Sequence, residues 1–186
     1  MIPANDLRKG MAIQYNGCSA IILEVRHRTP GNLRAFVQVC VRYVTTRRST
    51  EIRFSSNERV ELIEIVRQTF EFSYSDHLGY HFLDPKTYEL ITLQEDLVLA
   101  IRDYLTENLL VTILKIEGNP AQIELPPSVN LKVIESAEGV RGNSANSATK
   151  TAILETGKVI QVPLFVREGQ IVRIDTRTGT YLSRSP

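Results

Sequence analysis

Three arginines beside a Pro-Gly pair form the most distinctive chemical feature of this sequence. The arginines flank Pro30-Gly31, and they are Arg26, Arg28 and Arg34. Proline at the second position of a turn and glycine at the third favour a tight turn. Each guanidinium can bind phosphate through its planar fork of donors, and no Asp or Glu lies between residues 25 and 50. The segment is therefore either a basic hairpin that contacts phosphate or a hairpin whose arginines are solvated.

Residues that could support catalysis or bind a metal are scattered. His77 and His81 have a helical spacing, but a glycine-containing turn separates them, and His27 stands alone. Cys18 and Cys40 form no CxxC pair and have no histidine cluster nearby, which argues against a metal site. We expect no catalytic residue, no metal and no cofactor, and therefore not an enzyme.

One short segment resembles the end of a phosphate-binding loop. Thr156-Gly157-Lys158 has the glycine and lysine of that motif, but Ala152 occupies the position of its first glycine. The sequence also lacks GxSxG and GxGxxG. These absences leave binding as a better explanation than nucleotide hydrolysis or acyl transfer.

Composition favours a folded chain with no membrane span. Apolar residues make up 42% of the 186 residues, which is enough for buried cores. No apolar run approaches the roughly 18 residues of a membrane helix. The N-terminal MIPANDLRKGM lacks the apolar stretch of a signal peptide. We expect a cytoplasmic protein with reduced cysteines.

The net charge of +1 hides an uneven distribution. Residues 1–64 contain ten Lys and Arg against six Asp and Glu, residues 65–127 contain four against ten, and residues 128–186 contain eight against five. Two basic segments thus flank an acidic one. Either the ends meet nucleic acid while the middle stays clear of it, or the chosen boundaries exaggerate the asymmetry.

Short stretches with a period of two predict strands along most of the chain. The pair Asn16-Gly17 predicts a two-residue hairpin between the first two of them. The predicted strands cover residues 11–15, 19–25, 35–44, 50–54, 60–66, 68–74, 80–83, 88–92, 109–116, 121–125, 131–135, 158–162, 170–175 and 180–183. Many short strands at nearly even spacing predict all-β barrels or sandwiches.

A single helix is predicted in the middle segment. Thr92 and Glu95 have the spacing of a capping box, and Leu97, Ile101 and Leu105 then fall on one helical face. One helix beside a few strands suits an OB-type barrel. With breaks near residue 64 and at the paired prolines 126–127, the chain divides into domains 1–64, 65–127 and 128–186.

Motifs along the whole chain resemble those of the bacterial elongation factor P family. The strongest lies near the C-terminus, where Gly157, Ile160-x-Val162-Pro163-Leu164-Phe165-Val166 and Gly169 lead to Asp175-Thr176-Arg177-Thr178-Gly179-x-Tyr181. Asn5-Asp6-Leu7-Arg8-Lys9-Gly10-Met11 matches near the N-terminus, and Leu125-Pro126-Pro127 matches between them. Matches in one order are far less probable by chance than a single motif.

The resemblance implies an SH3-like N-terminal barrel followed by two OB-fold barrels in an L-shaped, tRNA-like arrangement. It implies a monomeric translation factor whose partners are the 70S ribosome, with its rRNA, and the P-site peptidyl-tRNA. The family relieves stalling at consecutive prolines. The tip of the first domain points at the peptidyl transferase centre, and Arg26 and Arg28 beside it would contact phosphate.

The sequence departs from the family at that tip. The tip corresponds to Pro30, Gly31, Asn32, Leu33 and Arg34, and Asn32 stands where the family has a modified lysine. An asparagine has neither the amine that lysine-type elongation needs nor the guanidinium that rhamnosylation needs, so we expect no modification. Asn32 either acts as an unmodified hydrogen-bonding tip or serves only as a turn residue. Arg34 could substitute for the missing cation.

A second loop resembles the family segment that reaches toward the exit-site mRNA codon. It contains Gly142, Asn143, Ser144 and Ala145, with Asn143 replacing an aspartate and Ser144 a threonine. Both changes keep hydrogen-bonding capacity. The loop either retains nucleotide contact or has drifted. Tyr181 and Arg184 could add stacking and phosphate contact, although Tyr181 is equally explained by packing.

Three functions remain open. The first is a proline-stall factor that acts through an unmodified tip. The second is a divergent paralogue that binds ribosome or tRNA in a regulatory role. The third is a generic single-strand binder of OB type, which is disfavoured because few exposed aromatic residues are evident.

Overall fold

The computed structural model describes residues 1–29, 35–136 and 149–185. Within these residues the chain is all-β: the strands form three sheets in chain order, and helical structure is limited to short turns. The predicted fold class is confirmed. No helix of this part of the chain has the length and apolar character needed to cross a membrane.

The first sheet has six strands in the spatial order β1-β6-β2-β3-β4-β5. They are β1 (Ile2–Pro3), β2 (Ala12–Tyr15), β3 (Cys18–Arg28), β4 (Phe36–Tyr43), β5 (Ser49–Ser55) and β6 (Arg59–Ile63). Asn16 and Gly17 join β2 to β3 with φ angles of 50° and 75°. Two positive φ angles are what a two-residue turn requires if it is to match the twist of its strands. The predicted hairpin is therefore confirmed.

The second sheet has five strands in the order β11-β10-β7-β8-β9. They are β7 (Ile65–Asp76), β8 (Gly79–Leu83), β9 (Leu90–Leu93), β10 (Leu110–Ile116) and β11 (Asn119–Glu124). Pro120 lies inside β11, which is an edge strand of this sheet, and an edge tolerates a residue without an N–H donor.

The predicted helix is much shorter than the sequence indicated, and its predicted cap is wrong. Helix α1 covers Glu95–Val98, begins after Gln94 and has no side-chain capping bond. A 3₁₀ turn follows at Arg102–Tyr104. Thr92 cannot cap the helix because it belongs to β9, where its hydroxyl lies 2.9 Å from Nδ1 of His81.

The third sheet has five strands in the order β14-β13-β12-β15-β16. They are β12 (Ser128–Ser136), β13 (Thr149–Leu154), β14 (Val159–Pro163), β15 (Ile171–Asp175) and β16 (Tyr181–Arg184). Each strand predicted from the sequence has a counterpart in the three sheets, whereas β1 and β13 were not predicted. Thr156-Gly157-Lys158 lies in the turn between β13 and β14, so it is a hairpin turn rather than a nucleotide loop.

The chain packs into two compact units. One combines Met1–Gln68 with Ile113–Ile123, and the other combines Thr69–Thr112 with Glu124–Pro186. This division does not test the three domains predicted from the sequence, 1–64, 65–127 and 128–186, which stay predictions.

In the first unit, strand β3 is buried on both faces near its beginning. Ala20 and Ile22 belong to one buried cluster, which also contains Val37, Val39 and Phe54. Ile21 points the other way, into a second cluster. The members of this second cluster are Ala12, Ile21, Val44, Leu114, Ile116 and Ala121.

Polar contacts border the second cluster. The Ser19 hydroxyl donates to Oε2 of Glu117 at 2.5 Å, and Nη2 of Arg42 donates to the carbonyl oxygen of Ala121 at 3.1 Å. The base of the β3–β4 pair is thus held by apolar packing and by hydrogen bonds to the β10–β11 hairpin.

In the second unit, Tyr104 packs into the core of the third sheet. Only 7% of it is exposed, and it joins a cluster that includes Leu131, Leu154 and Val162. Nζ of Lys158 lies 4.6 Å from the centre of the Tyr104 ring. The Thr156 hydroxyl donates to the backbone oxygen of Asp103 at 2.7 Å. The 3₁₀ turn is therefore anchored to the β13–β14 hairpin.

We predict that Gly79→Ala destabilises the protein far more than Gly157→Ala. A Cβ at residue 79 would lie 2.5 Å from the carbonyl oxygen of Leu93, at a φ of +138°. A Cβ at residue 157 meets nothing within 4 Å, at a φ of +84°. Gly157→Ala should therefore cost about 1–2 kcal/mol for its left-handed backbone alone, and Gly79→Ala about 3 kcal/mol or more.

Urea denaturation of both variants, followed by far-UV circular dichroism, measures the difference. Equal losses of unfolding free energy would show that the contact with Leu93 does not restrict residue 79.

Candidate functional site

Strands β3 and β4 border the segment that is predicted to form the tip. The two strands pair as far as Arg28 opposite Phe36, and β5 extends the ladder on the other side of β4, where Ser55 faces Phe36. The tip residues Pro30, Gly31, Asn32, Leu33 and Arg34 lie outside the described residues. The described strands therefore define where this connection leaves the sheet and where it returns.

A β-bulge decides which face of the hairpin carries the arginines. The register of β3 on β4 shifts between Ile22 and Glu24. Beyond the shift, Arg26 lies opposite Gln38 and Arg28 opposite Phe36. Val37 and Val39 are fully buried, and successive residues of a strand point to opposite faces. Arg26 and Arg28 thus occupy the outer, solvent-exposed face.

Arg26 is bound by a carboxylate of its own strand. Its Nε donates to Oε1 of Glu24 at 2.8 Å, and its Nη2 donates to Oε2 at 2.9 Å. These hydrogen bonds lower the pKa of Glu24. The window without acidic residues begins at residue 25, so the sequence reasoning missed Glu24 by one position. Period-two spacing of Glu24 and Arg26 was the signal that could have found it.

Arg28 differs from Arg26 in this respect. It is exposed at the end of β3, and among the described residues it has no ion pair. Its guanidinium is thus available to an external anion, whereas binding through Arg26 must compete with Glu24.

The second predicted loop also begins and ends on a paired hairpin. Gly142, Asn143, Ser144 and Ala145 lie outside the described residues. Ser136 is the last residue of β12 and pairs with Ala152 of β13. Nζ of Lys150 donates a hydrogen bond to the Ser136 hydroxyl at 3.2 Å.

Tyr181 and Arg184 have different environments on β16. Tyr181 is half-buried and packs against the core of the third sheet, so much of its ring is unavailable for stacking. Arg184 is exposed and lines a groove of about 440 Å³ together with Arg173. Of the two, Arg184 is placed for contact with an anion.

Of the histidine pair in the middle segment, His81 has a structural role. His81 is buried, and its Nε2 lies 2.9 Å from Oδ1 of Asp76, while Tyr74 stacks on its ring at 4.3 Å. The bond to His81 also lowers the pKa of Asp76. No cluster of metal-ligating side chains occurs in residues 1–29, 35–136 and 149–185.

The Asp175-to-Gly179 motif forms the turn between β15 and β16. Oδ1 of Asp175 accepts hydrogen bonds from the backbone N–H of Arg177 at 2.8 Å and of Thr178 at 3.2 Å. The Gly179 N–H donates to the Asp175 carbonyl oxygen at 2.8 Å, with φ of +70° at Gly179. The motif is thus a self-bonded turn.

Comparison with known families gives matches over nearly the full length. Residues 3–60 match the "Elongation factor P (EF-P) KOW-like domain", residues 65–123 the "Elongation factor P (EF-P) OB domain", and residues 129–184 "Elongation factor P, C-terminal".

Relatives named elongation factor P are similar along both chains. The protein of Acidobacterium capsulatum is 41% identical over 184 residues, which cover 99% of each chain. That of Moorella thermoacetica is 39% identical over 185 residues, which cover 100% of each. A solved structure, eukaryotic translation initiation factor 5A from Methanococcus jannaschii, aligns with a TM-score of 0.49 and 17% identity, over 67% of this chain and 90% of that one.

We predict that Asp175→Asn reduces stability at neutral pH and that this loss fades in acid. The backbone hydrogen bond from Arg177 is the main cause that lowers the pKa of Asp175 in the folded protein. A carboxylate with a lowered folded pKa stabilises above its unfolded pKa of about 3.9, and this stabilisation is lost as pH falls through the folded pKa.

The measurement is the free energy of unfolding of both proteins in urea from pH 7 to pH 3. Their difference should stay level down to about pH 5 and shrink below about pH 4. Glu135→Gln, which removes an exposed carboxylate from β12 of the same sheet, is the matched control and should have a smaller effect. A difference that grows in acid would contradict the prediction.

Proposed function

The chain belongs to the elongation factor P family of translation factors, and on that premise we propose that it binds the ribosome beside P-site peptidyl-tRNA and promotes peptide-bond formation at consecutive prolines. The observation that carries this proposal is the β3–β4 hairpin. Its paired strands end at Arg28 and Phe36, each separated by one residue from the segment that corresponds to the family's tip. A basic, regularly paired support of this kind suits insertion into RNA.

The proposed mechanism needs no acid–base group on the factor. The ribosome carries out the chemistry, and the factor holds the end of the P-site tRNA in a reactive pose. Positioning of this kind lowers the entropic part of the barrier. Because proline is a poor donor and acceptor in peptide transfer, the benefit is largest at consecutive prolines.

At the tip, Asn32 would act without modification. An amide offers two donors and an acceptor, which suit the ribose and phosphate oxygens of a tRNA end. It carries no charge, so its contribution is a hydrogen bond of fixed geometry rather than a long cationic contact. Arg34 remains a candidate for supplying the missing positive charge.

The outer face of the hairpin would contact phosphate mainly through Arg28. Charge-assisted bonds between guanidinium and phosphate are among the stronger hydrogen bonds of proteins. Arg26 can contact phosphate only if its hydrogen bonds to Glu24 are broken. In the third sheet, Arg184 and the loop that contains Asn143 and Ser144 would meet RNA near the exit-site codon.

Asn32 also favours a second candidate function. If the tip has lost its activity along with its lysine, the protein is a divergent paralogue that binds ribosome or tRNA in a regulatory role. The two candidates predict opposite responses to a restored lysine.

We predict that the purified, unmodified protein accelerates peptide-bond formation on a Pro-Pro-Pro template. Asn32→Ala should reduce this stimulation several-fold because it removes the amide, and Asn32→Lys should add little. The assay uses purified ribosomes and measures the rate of tripeptide formation, with a template that lacks prolines as the control.

Two results would contradict this prediction. Absence of stimulation by the wild-type protein would remove the proline-stall function, and a large gain from Asn32→Lys would support the paralogue. Mass spectrometry of the native protein tests the unmodified state, since an adduct on Asn32 would disprove it.

We predict that Arg28→Ala weakens ribosome binding by about tenfold, as expected for the loss of one charge-assisted hydrogen bond. The slope of log affinity against log salt concentration should fall by about 1. The matched control is Glu24→Gln with Arg26→Ala, which removes the bound pair without changing net charge. It should alter affinity by less than about threefold, since an exposed ion pair contributes little.

Equilibrium binding of labelled protein to ribosomes at several salt concentrations measures both quantities. Equal losses for Arg28→Ala and for the control double variant would show that the phosphate contact is not specific to Arg28.

A further inference from the structure

Phe36 occupies the last paired position of the hairpin before the tip segment. It is the first residue of β4, and it faces Arg28 on β3 and Ser55 on β5. Since Val37 beside it points into the core with no exposed surface, the Phe36 ring lies on the outer face. Among residues 1–29 and 35–136, the pairing of β4 with β3 and with β5 ends at Phe36.

Arg53 covers that ring from the neighbouring strand. Its guanidinium carbon lies 3.6 Å from the centre of the Phe36 ring. In the register, Arg53 faces Gln38, so its side chain reaches the ring diagonally along the face. Diagonal neighbours of this kind lie within reach of long side chains, and a cation over an aromatic face is attracted to it.

Among the described residues, the carboxylates near Arg53 bind other side chains, so they do not draw its guanidinium away from the Phe36 ring. The nearest acid on its own strand is Glu51, two residues earlier on the same face, and Oε2 of Glu51 accepts a hydrogen bond from Nε2 of Gln38 at 2.6 Å. Glu24 is engaged by Arg26. Within the described residues no carboxylate forms an ion pair with Arg53.

We infer that Arg53 is a positioning residue for the hairpin tip: by stacking on Phe36 it holds the final rung of β4 in the sheet and fixes the direction in which the chain enters the tip. This inference rests on the proposed function. A frayed final rung would leave the tip attached but imprecisely placed. Small misplacements of a reacting group reduce rates strongly while leaving binding contacts largely intact.

The test compares three variants in the Pro-Pro-Pro assay. Arg53→Ala removes the stack, Arg53→Lys keeps a cation above the ring, and Arg59→Ala removes an exposed arginine from β6 of the same sheet. We measure the maximal rate at saturating factor and the factor concentration that gives half of it.

Arg53→Ala should lower the maximal rate about three- to tenfold and change the half-saturating concentration less than twofold. Arg53→Lys should restore most of the rate, and Arg59→Ala should change neither quantity. A raised half-saturating concentration with an unchanged maximal rate would overturn the inference, because Arg53 would then act as a direct RNA contact. Equal behaviour of Arg53→Ala and Arg59→Ala would overturn it as well.

Hydrogen exchange of the free protein separates this inference from the proposed function. Arg53→Ala should speed amide exchange at least threefold in the peptide that covers the start of β4, with other peptides unchanged and with no such effect from Arg59→Ala. Unchanged exchange would refute the positioning role. If Arg53→Ala speeds exchange but the wild-type protein does not stimulate peptide-bond formation on ribosomes, only the proposed function is contradicted.

Discussion

The antiparallel pairing of β3 with β4 is the interaction on which the rest of this molecule depends. Its register runs from Ala20 opposite Tyr43 to Arg28 opposite Phe36, with one bulge after Ile22. A strand shifted by one residue exchanges its two faces. A slip of β3 would bring Arg26 and Arg28 toward the core, and a slip of β4 would expose its valines. Burial of those valines therefore fixes both the arginine face and the place where the tip begins.

The bulge divides the hairpin into a base and an arm with different environments. At the base, Ala20, Ile21 and Ile22 are buried on both faces, and Ser19 and Arg42 bond to the β10–β11 hairpin. Along the arm only one face is covered. Contacts on the outer face of the arm are consequently few, so each of them contributes strongly to fixing the position of the end of the arm.

Three motifs of the described residues that could have suggested chemistry have structural roles. The buried histidine is held between a carboxylate and a hydroxyl on neighbouring strands. The glycine-lysine motif is a hairpin turn, and the most specific C-terminal motif bonds to itself. The family to which the chain belongs is one of translation factors. The sequence is predicted to depart from that family at the tip residue Asn32 and in the second loop at Asn143 and Ser144.

The sequence by itself determined the strands, the Asn16-Gly17 hairpin and the family, because strand alternation and turn chemistry are local and the family motifs lie in one order. It did not predict β1, which is two residues long, or β13, which directly follows a stretch without periodicity. It also assigned Thr92 to a cap, although the partner of Thr92 is a histidine eleven residues away.

Only the tertiary structure decided how Arg53 and Tyr104 are engaged. Glu24 and Arg26 meet through their period-two spacing, which the sequence contains. By contrast, Arg53 meets Phe36 because of the register of β4 on β5, and Tyr104 enters the core of another sheet. Such contacts depend on the register and on long-range packing. Neither is encoded in the spacing of nearby residues, so the sequence could place the candidate site but not the side chains that hold it.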